Sequence, residues 1–412
     1  MPADLAITQA RLMGKPGLWT IAMGDRAITA VTPEPVAATH TLNAQGQLVI
    51  PGLVDAHIHL DKALLLAQAP AQVGDFAEAM RETLRLKQRY TVADIQHRAR
   101  QVLDAAIAFG ITAMRTHVEV DPIVGLTALE ALLPLKADYA WGIDLQLAIF
   151  AQEGITNQPG TEALLRKALS LGGDVIGSAP YVDPDPQRNI EIVFDLAAEF
   201  DCDVDFHLDF LDDDRPLQLP WVLRATEMRG WQGRVCLGHM TKLAALPPEA
   251  LHDIGTQLAA LGISVLALPA SDLYMMARRD THNVRRGVAP LQRLIAAGAN
   301  GAIATNNVQN LFTPFGDGDV LKIATLIAQV LQLGTETDHA LCLEMASTRA
   351  AAAIGIPNYR VEVGGAADLV ILGTSSPTGA IAAAPPTRTV IKGGRCIART
   401  AVQTQWVGRA EG

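Results

Sequence analysis

At 412 residues the chain exceeds the about 100 to 200 residues usual for one domain, a length that a single barrel with an appended small domain reaches. With 49% hydrophobic and 18% charged residues and a mean hydropathy of +0.20, it holds ample apolar material for a large core, which excludes extensive disorder. A formal net charge of -10 without a dense Lys/Arg stripe excludes nucleic acid as a partner.

The chain opens on Met1-Pro2-Ala3-Asp4, with no basic segment followed by an apolar stretch, and no apolar run reaches the roughly 18 residues of a membrane span. A cytoplasmic location without membrane contact is therefore expected. Residues 10–50 show short alternating stretches, Gly17-Leu18-Trp19-Thr20-Ile21-Ala22-Met23 and Ala27-Ile28-Thr29-Ala30-Val31, separated by turn residues, and they read as β-hairpins. The same texture returns over residues 360–405. Segments 1–49 and 360–412 are thus expected to pair into one small β-sandwich domain, with residues 50–359 between them as a separate unit.

Within that unit, buried-strand patterns alternate with longer helical ones. Strands are expected near residues 49–56, 111–118, 143–150, 174–178, 204–207, 234–238, 263–268 and 301–305, with helices such as 91–109, 161–171 and 190–200 between them. Eight βα units predict an α/β fold of the TIM-type barrel class. A doubly wound open sheet is the alternative, but the G-x-G-x-x-G turn after the first strand is missing. The four cysteines (Cys202, Cys236, Cys342 and Cys396) are far apart and form no CxxC pair, so neither a disulfide framework nor a thiolate zinc site is indicated.

In a parallel barrel the chemistry sits where strands end. The first strand delivers Asp55-Ala56-His57-Ile58-His59, and alternation puts both imidazoles on one side, where two can chelate one metal. Later strands end in Arg115-Thr116-His117, His207-Leu208-Asp209, Gly238-His239 and Thr305-Asn306-Asn307. His117 alone reads as packing or support rather than as a ligand. Three neutral imidazoles with one open position suffice to hold a divalent ion and bring its water to a pKa of about 7. His239 and Arg115 are the first choices for moving the proton and steadying developing charge.

The stretch Pro51-Gly52-Leu53-Val54-Asp55-Ala56-His57-Ile58-His59-Leu60-Asp61-Lys62 resembles the opening signature of the amidohydrolase superfamily, in its cytosine deaminase and N-isopropylammelide hydrolase branch. The similarity continues through Arg115-Thr116-His117-Val118-Glu119, Gln152-Glu153-Gly154, Val204-Asp205-Phe206-His207, Gly238-His239-Met240-Thr241 and Pro314-Phe315-Gly316-Asp317. It implies that His57, His59 and His207 ligate one divalent transition metal, zinc first, with iron, manganese or cobalt also suited. It further implies that His239 sits over the bound water and that Gln152 bonds an amide-like edge of the substrate, unless Gln152 serves only the backbone.

Two positions depart from that pattern. Where cytosine deaminase carries a proton-moving glutamate, this chain has Phe210, a substrate contact rather than a shuttle; where the family carries a metal-binding aspartate, it has Asn306, whose carbonyl oxygen can still ligate but cannot act as base. A replacement base could come from His239 or from the acidic group Asp183, Asp185, Asp209, Asp212, Asp213 and Asp214, in which Asp209 stands out because alternation sets it beside His207. Lys62 binds a substrate anion or forms an ion pair; Arg278, Arg279, Arg285 and Arg286 close over an acidic substrate or solvate a loop. The expected activity is metal-dependent hydrolysis of a non-peptide C–N bond in a small nitrogen-containing molecule, by a chain that self-associates. A carbamate, urea or thiocarbamate hydrolase on the same site, and a barrel that only binds a small ligand, are the alternatives.

Overall fold

The computed structural model describes residues 2–210 and 213–407. Five strands open the chain: β1 (Ala3–Leu12), β2 (Lys15–Gly24), β3 (Ala27–Thr32), β4 (Ala38–Asn43) and β5 (Leu48–Pro51). Eight follow with helices between most of them: β6 (Leu53–Ile58), β7 (Ile111–Glu119), β8 (Asp144–Ala151), β9 (Val175–Ser178), β10 (Asp203–Leu208), β11 (Val235–His239), β12 (Ser264–Ala267) and β13 (Asn300–Ile303). Three close the chain: β14 (Leu369–Leu372), β15 (Arg388–Lys392) and β16 (Arg395–Thr400).

Strands β6 to β13 pair in parallel, each with its neighbour in sequence. The sheet closes on itself just beyond β6 and β13, where His59 N donates to Asn306 O at 2.9 Å and Asn306 N donates to His57 O at 2.8 Å. Asp55 reinforces this seam by accepting from both the amide and the hydroxyl of Thr305. The architecture is the expected closed barrel and not an open doubly wound sheet. Its strands are buried on both faces, which is why β7 is buried along all nine residues. The covering helices are amphipathic: in Val92–Ala108, capped by the Thr91 hydroxyl, Ile95, Ala99, Val102, Leu103 and Ala106 recur at helical spacing and pack on the barrel.

The remaining strands form a mixed sheet in the order β16-β15-β14-β5-β1-β2-β3, with β4 beside β1. Its own apolar core takes Ile7, Ile21, Met23 and Ile28 from the first strands and Leu369, Ile371 and Ile391 from the last. The single strand expected over residues 49–56 is in fact two, since β5 belongs to the small sheet and β6 to the barrel. The break falls at Gly52, where a Cβ would collide with Thr112 Oγ1 and lie 2.7 Å from Tyr359 Oη. No other residue fits that crossing.

Arg388 on β15 fastens the small sheet to the barrel. Its guanidinium makes two buried bonds to Asp319, at 2.8 and 2.7 Å, and a third, partly buried, to the Phe109 carbonyl. Removing one partner of a buried pair strands the other charge, so Arg388→Ala should lower stability by about 3 to 5 kcal/mol. Chemical denaturation followed by circular dichroism measures this; a loss below about 1 kcal/mol, the range of an exposed pair, would show the bridge to be incidental.

Candidate metal centre and active site

The strand ends bring His57, His59, His117 and His207 together, with one ring nitrogen of each within 4.8 Å of the others. His207 Nε2 lies 3.1 Å from both His57 Nε2 and His59 Nε2. A single Nε2 offers one N–H or one lone pair, so hydrogen bonding cannot satisfy both contacts at once. Nitrogens bound to one ion at about 2.0 to 2.1 Å would stand at separations of this size. All four imidazoles are buried, and burial, the largest cause for each, holds them below the usual histidine range, with Asp205 opposing the shift at His117. They are therefore neutral near pH 7, the form that ligates a metal. Asn306 brings a further oxygen: its Oδ1 is buried and has no hydrogen-bond partner among the described residues, while its Nδ2 donates to Ser271 Oγ at 2.8 Å. The donor set, nitrogen-rich with one carbonyl oxygen, suits a divalent transition metal.

Beneath the imidazoles, Asp205 on β10 carries a structural charge pair. Its Oδ2 accepts from Arg115 at 2.9 Å, and its Oδ1 lies 3.4 Å from His117 Nε2 and 3.9 Å from His57 Nδ1. Arg115 also bonds Gln146 and does not reach the cavity. The expectation that it steadies charge on the substrate is corrected: β7 points it into the barrel interior, where Asp205 neutralises it.

Above them lies a small, narrow cavity. Phe76, Phe210, Met275 and Phe312 give it an apolar wall, with the Phe210 ring 4.2 Å from that of His239. Gln152, Tyr181 and Lys62 give it a polar one. Lys62 Nζ is 2.6 Å from Glu119 and donates to Gln152 Oε1 at 3.0 Å, so it both forms an ion pair and lines the site. Glu119 is shared with Lys87, which also binds Asp121 and Glu153. Burial pushes the Glu153 carboxyl up to about 7 despite Lys87 beside it.

His239, at the end of β11, stands in left-handed backbone (φ 72°) that turns its ring toward the cavity, and its Nδ1 lies 2.7 Å from Asp272 Oδ1. Asp272 is fully buried in the short helix Pro269–Met275 after β12, and its other oxygen accepts from Leu268 N at 3.0 Å. Burial raises its carboxyl; His239 and the backbone bond oppose the rise.

Asp209 is a second correction. Its backbone is also left-handed (φ 47°), which breaks the alternation that would have set it beside His207. Its carboxylate accepts from Gln218 N and Leu219 N at the start of the helix Leu219–Arg229, outside the cavity. Asp183 is likewise engaged by Thr156 and Asn189, Asp185 caps the helix Pro186–Phe200, and Asp213 pairs with Lys242. Asp212 lies outside the described residues. Of the arginines after β12, Arg278 covers the Tyr274 ring, Arg285 pairs with Asp280 and Arg286 bonds the Val330 carbonyl.

Sequence reasoning missed Asp205 and Asp272. The first was legible, since the alternation that turns His207 inward turns Asp205 inward as well. The second lies four residues into a helix following a strand, and no local pattern ties it to His239.

A closed parallel barrel whose mouth gathers neutral imidazoles under a small cavity defines a metal-assisted barrel hydrolase. The match to the Amidohydrolase family spans residues 48–397, and the chain belongs to that family of metal-dependent hydrolases acting on non-peptide C–N bonds. It is 30% identical over 411 residues to N-isopropylammelide isopropyl amidohydrolase of Pseudomonas sp. (strain ADP), covering 97% of this chain and 98% of the relative. It superposes on 5-methylcytosine deaminase from Klebsiella pneumoniae liganded with 5-fluorocytosine with a TM-score of 0.91 at 28% identity, over 98% of this chain and 99% of that one. The N-isopropylammelide isopropylaminohydrolase from Burkholderia multivorans gives a TM-score of 0.85 at 26% identity, over 96% and 98%. Among the described residues, no helix is long and apolar enough to cross a membrane.

Proposed function

We propose that this enzyme removes an amine, preferentially an alkylated one, from a small planar nitrogen heterocycle bearing an amide-like edge. The observation that carries the reading is the placement of His59, His207, His239, Asn306 and Gln152 around one cavity, with Phe76, Phe210 and Phe312 on its apolar side.

His57, His59, His207 and the Asn306 carbonyl are the ligands we assign to the metal, with zinc as the ion. A divalent ion held there would supply Lewis-acid activation of water and of the bond under attack. Gln152 orients the ring. Because its Oε1 is held by Lys62, it turns its amide N–H groups to Tyr181 and to a carbonyl or ring nitrogen of the substrate. Neither Phe210 nor Asn306 can take a proton, so that task falls to His239. Asp272 holds Nδ1–H, which leaves Nε2 free to accept a proton from water and deliver it to the departing nitrogen. Phe76, Phe210 and Phe312 exclude water around that nitrogen and favour an alkyl substituent on it. The two relatives named for isopropylammelide support this preference. A carbamate or urea substrate would suit a site without a proton carrier, and the His239–Asp272 pair removes that reason to prefer one.

Reconstitution with zinc, followed by mass spectrometry of amine release from a panel of N-alkylamino and unsubstituted amino triazines, pyrimidines and pterins, tests the reading. N-alkylated substrates should show the higher kcat/KM. Zinc-loaded enzyme that releases amine from none of them would overturn it, and faster release of ammonia than of alkylamine would overturn the alkyl preference.

A further inference from the structure

Whereas the helix Val92–Ala108 packs on the barrel core, the helix Phe76–Lys87 lies across the mouth: its buried Ala79 and Leu86 share an apolar cluster with Phe150, Tyr181, Phe210 and Phe312. Phe76 in its first turn lines the cavity, its ring 5.8 Å from that of Phe210 and 6.1 Å from that of Phe312. Lys87 in its last turn does not reach the cavity. From the ion pairs at that end we infer that Lys87 is a positioning residue for substrate binding, which holds this helix in place and, through Glu119, the Lys62–Gln152 pair. The inference rests on the reading of Gln152 given above.

Each contact in this chain of charges has one possible direction, because an ammonium only donates and a carboxylate only accepts. The buried Lys87 Nζ lies 2.7 Å from Glu119 Oε2, 2.8 Å from Asp121 Oδ2 and 2.7 Å from Glu153 Oε1. Glu119 ends β7, and Asp121 and Glu153 lie just beyond β7 and β8, so the three pin the end of the helix to the barrel. The other oxygen of Glu119, Oε1, takes Lys62 at 2.6 Å, and Lys62 donates to Gln152 Oε1 at 3.0 Å. At the opposite end of the helix, Glu78 accepts from the backbone N–H groups of Gln72, Val73 and Gly74, bonds that join the incoming loop to the helix itself. Lys87 is thus the polar anchor of the helix on the strand ends. Without it, three buried carboxylates would face one another uncompensated, and their charge would draw Lys62 toward them and off Gln152. The freed amide could then present either of its ends to the substrate.

The test compares zinc-reconstituted wild type, Lys87→Met and Lys87→Met/Glu153→Gln by steady-state kinetics on the substrate panel and by amide hydrogen exchange. Lys87→Met should raise KM about tenfold, within what a residue remote from a ligand contributes to its binding. Its kcat should stay within about two-fold, the signature of lost binding rather than lost chemistry. Its discrimination between rings that present a carbonyl and rings that present an amino group to Gln152 should also fall. Peptides spanning residues 76–87 should exchange at least about tenfold faster while those spanning 92–108 keep their rates, as local opening of one helix requires. In the double variant one cation and one carboxylate leave together, so Lys62 stays on Gln152: discrimination should recover while the helix still exchanges fast. Should Lys87→Met not fold, the double variant decides, and wild-type exchange over 76–87 in it would overturn the inference. So would an unchanged KM with reduced kcat in Lys87→Met, which marks a merely structural role, or discrimination as poor in the double variant as in the single one. Wild-type enzyme that turns over none of the panel would overturn the functional reading, and hydrogen exchange, which needs no substrate, would still decide whether Lys87 anchors the helix.

Discussion

The His57→Ala/His59→Ala double variant should purify without its metal and lose at least about 10³-fold in kcat/KM. The expected size follows from several kcal/mol of charge stabilisation and nucleophile activation that the ion supplies, with each 1.4 kcal/mol worth about tenfold. Both residues sit at the seam where β6 meets β13, but their main-chain bonds to Asn306 are made by backbone atoms and survive the change. The fold should therefore persist. Losing the rings also relieves the convergence of nitrogens on His207 Nε2, a local gain that offsets part of the packing loss. Metal content by mass spectrometry and circular dichroism on the same samples separate the two effects. A well-folded variant that retains about one equivalent of metal would mean that the ligands lie elsewhere.

Asp272→Asn should reduce kcat by about 10² or more while leaving KM within a few-fold, within the range that positioned acid–base catalysis contributes. Asp272 uses one oxygen for His239 Nδ1 and the other for Leu268 N. Asparagine keeps one acceptor and gains a donor, so it can serve the backbone or the imidazole but not both. If the amide NH2 faces His239, it forces the proton onto Nε2 and reverses the ring's role toward water. His239→Ala should cost about 10² to 10⁴ in kcat by the same reasoning, and adding Asp272→Asn to it should cost little more, because the aspartate acts through the ring. Steady-state kinetics on the two single variants and the double one decide the matter. Additive losses would show that Asp272 has a role independent of His239.

The fold and its class were legible because they rest on local repetition. Alternating apolar strands and amphipathic helices, read eight times over, leave few architectures that bury both faces of every strand. His57 and His59 were legible for the same reason, since two residues apart on a strand means one side of it. The strand that crosses from the small sheet into the barrel was read as one because β5 and β6 are both buried throughout and differ only in their partners.

Where local periodicity ends, the reading of the site ends as well. Asp209, His239 and Asn306 all stand in left-handed backbone just where strands give way to loops, so the side on which each side chain emerges does not follow from counting residues. Arg115 was legible as inward-facing but not as neutralised, because its partner Asp205 lies 90 residues away. The amino-acid sequence by itself determined a barrel that gathers histidines at its mouth, since period-two alternation and burial are properties of single strands. Only the tertiary structure decided which carboxylate backs His239 and which charges cancel in the interior, because a hydrogen bond between distant segments depends on loop conformation and barrel closure, and neither is encoded in any one stretch of the chain.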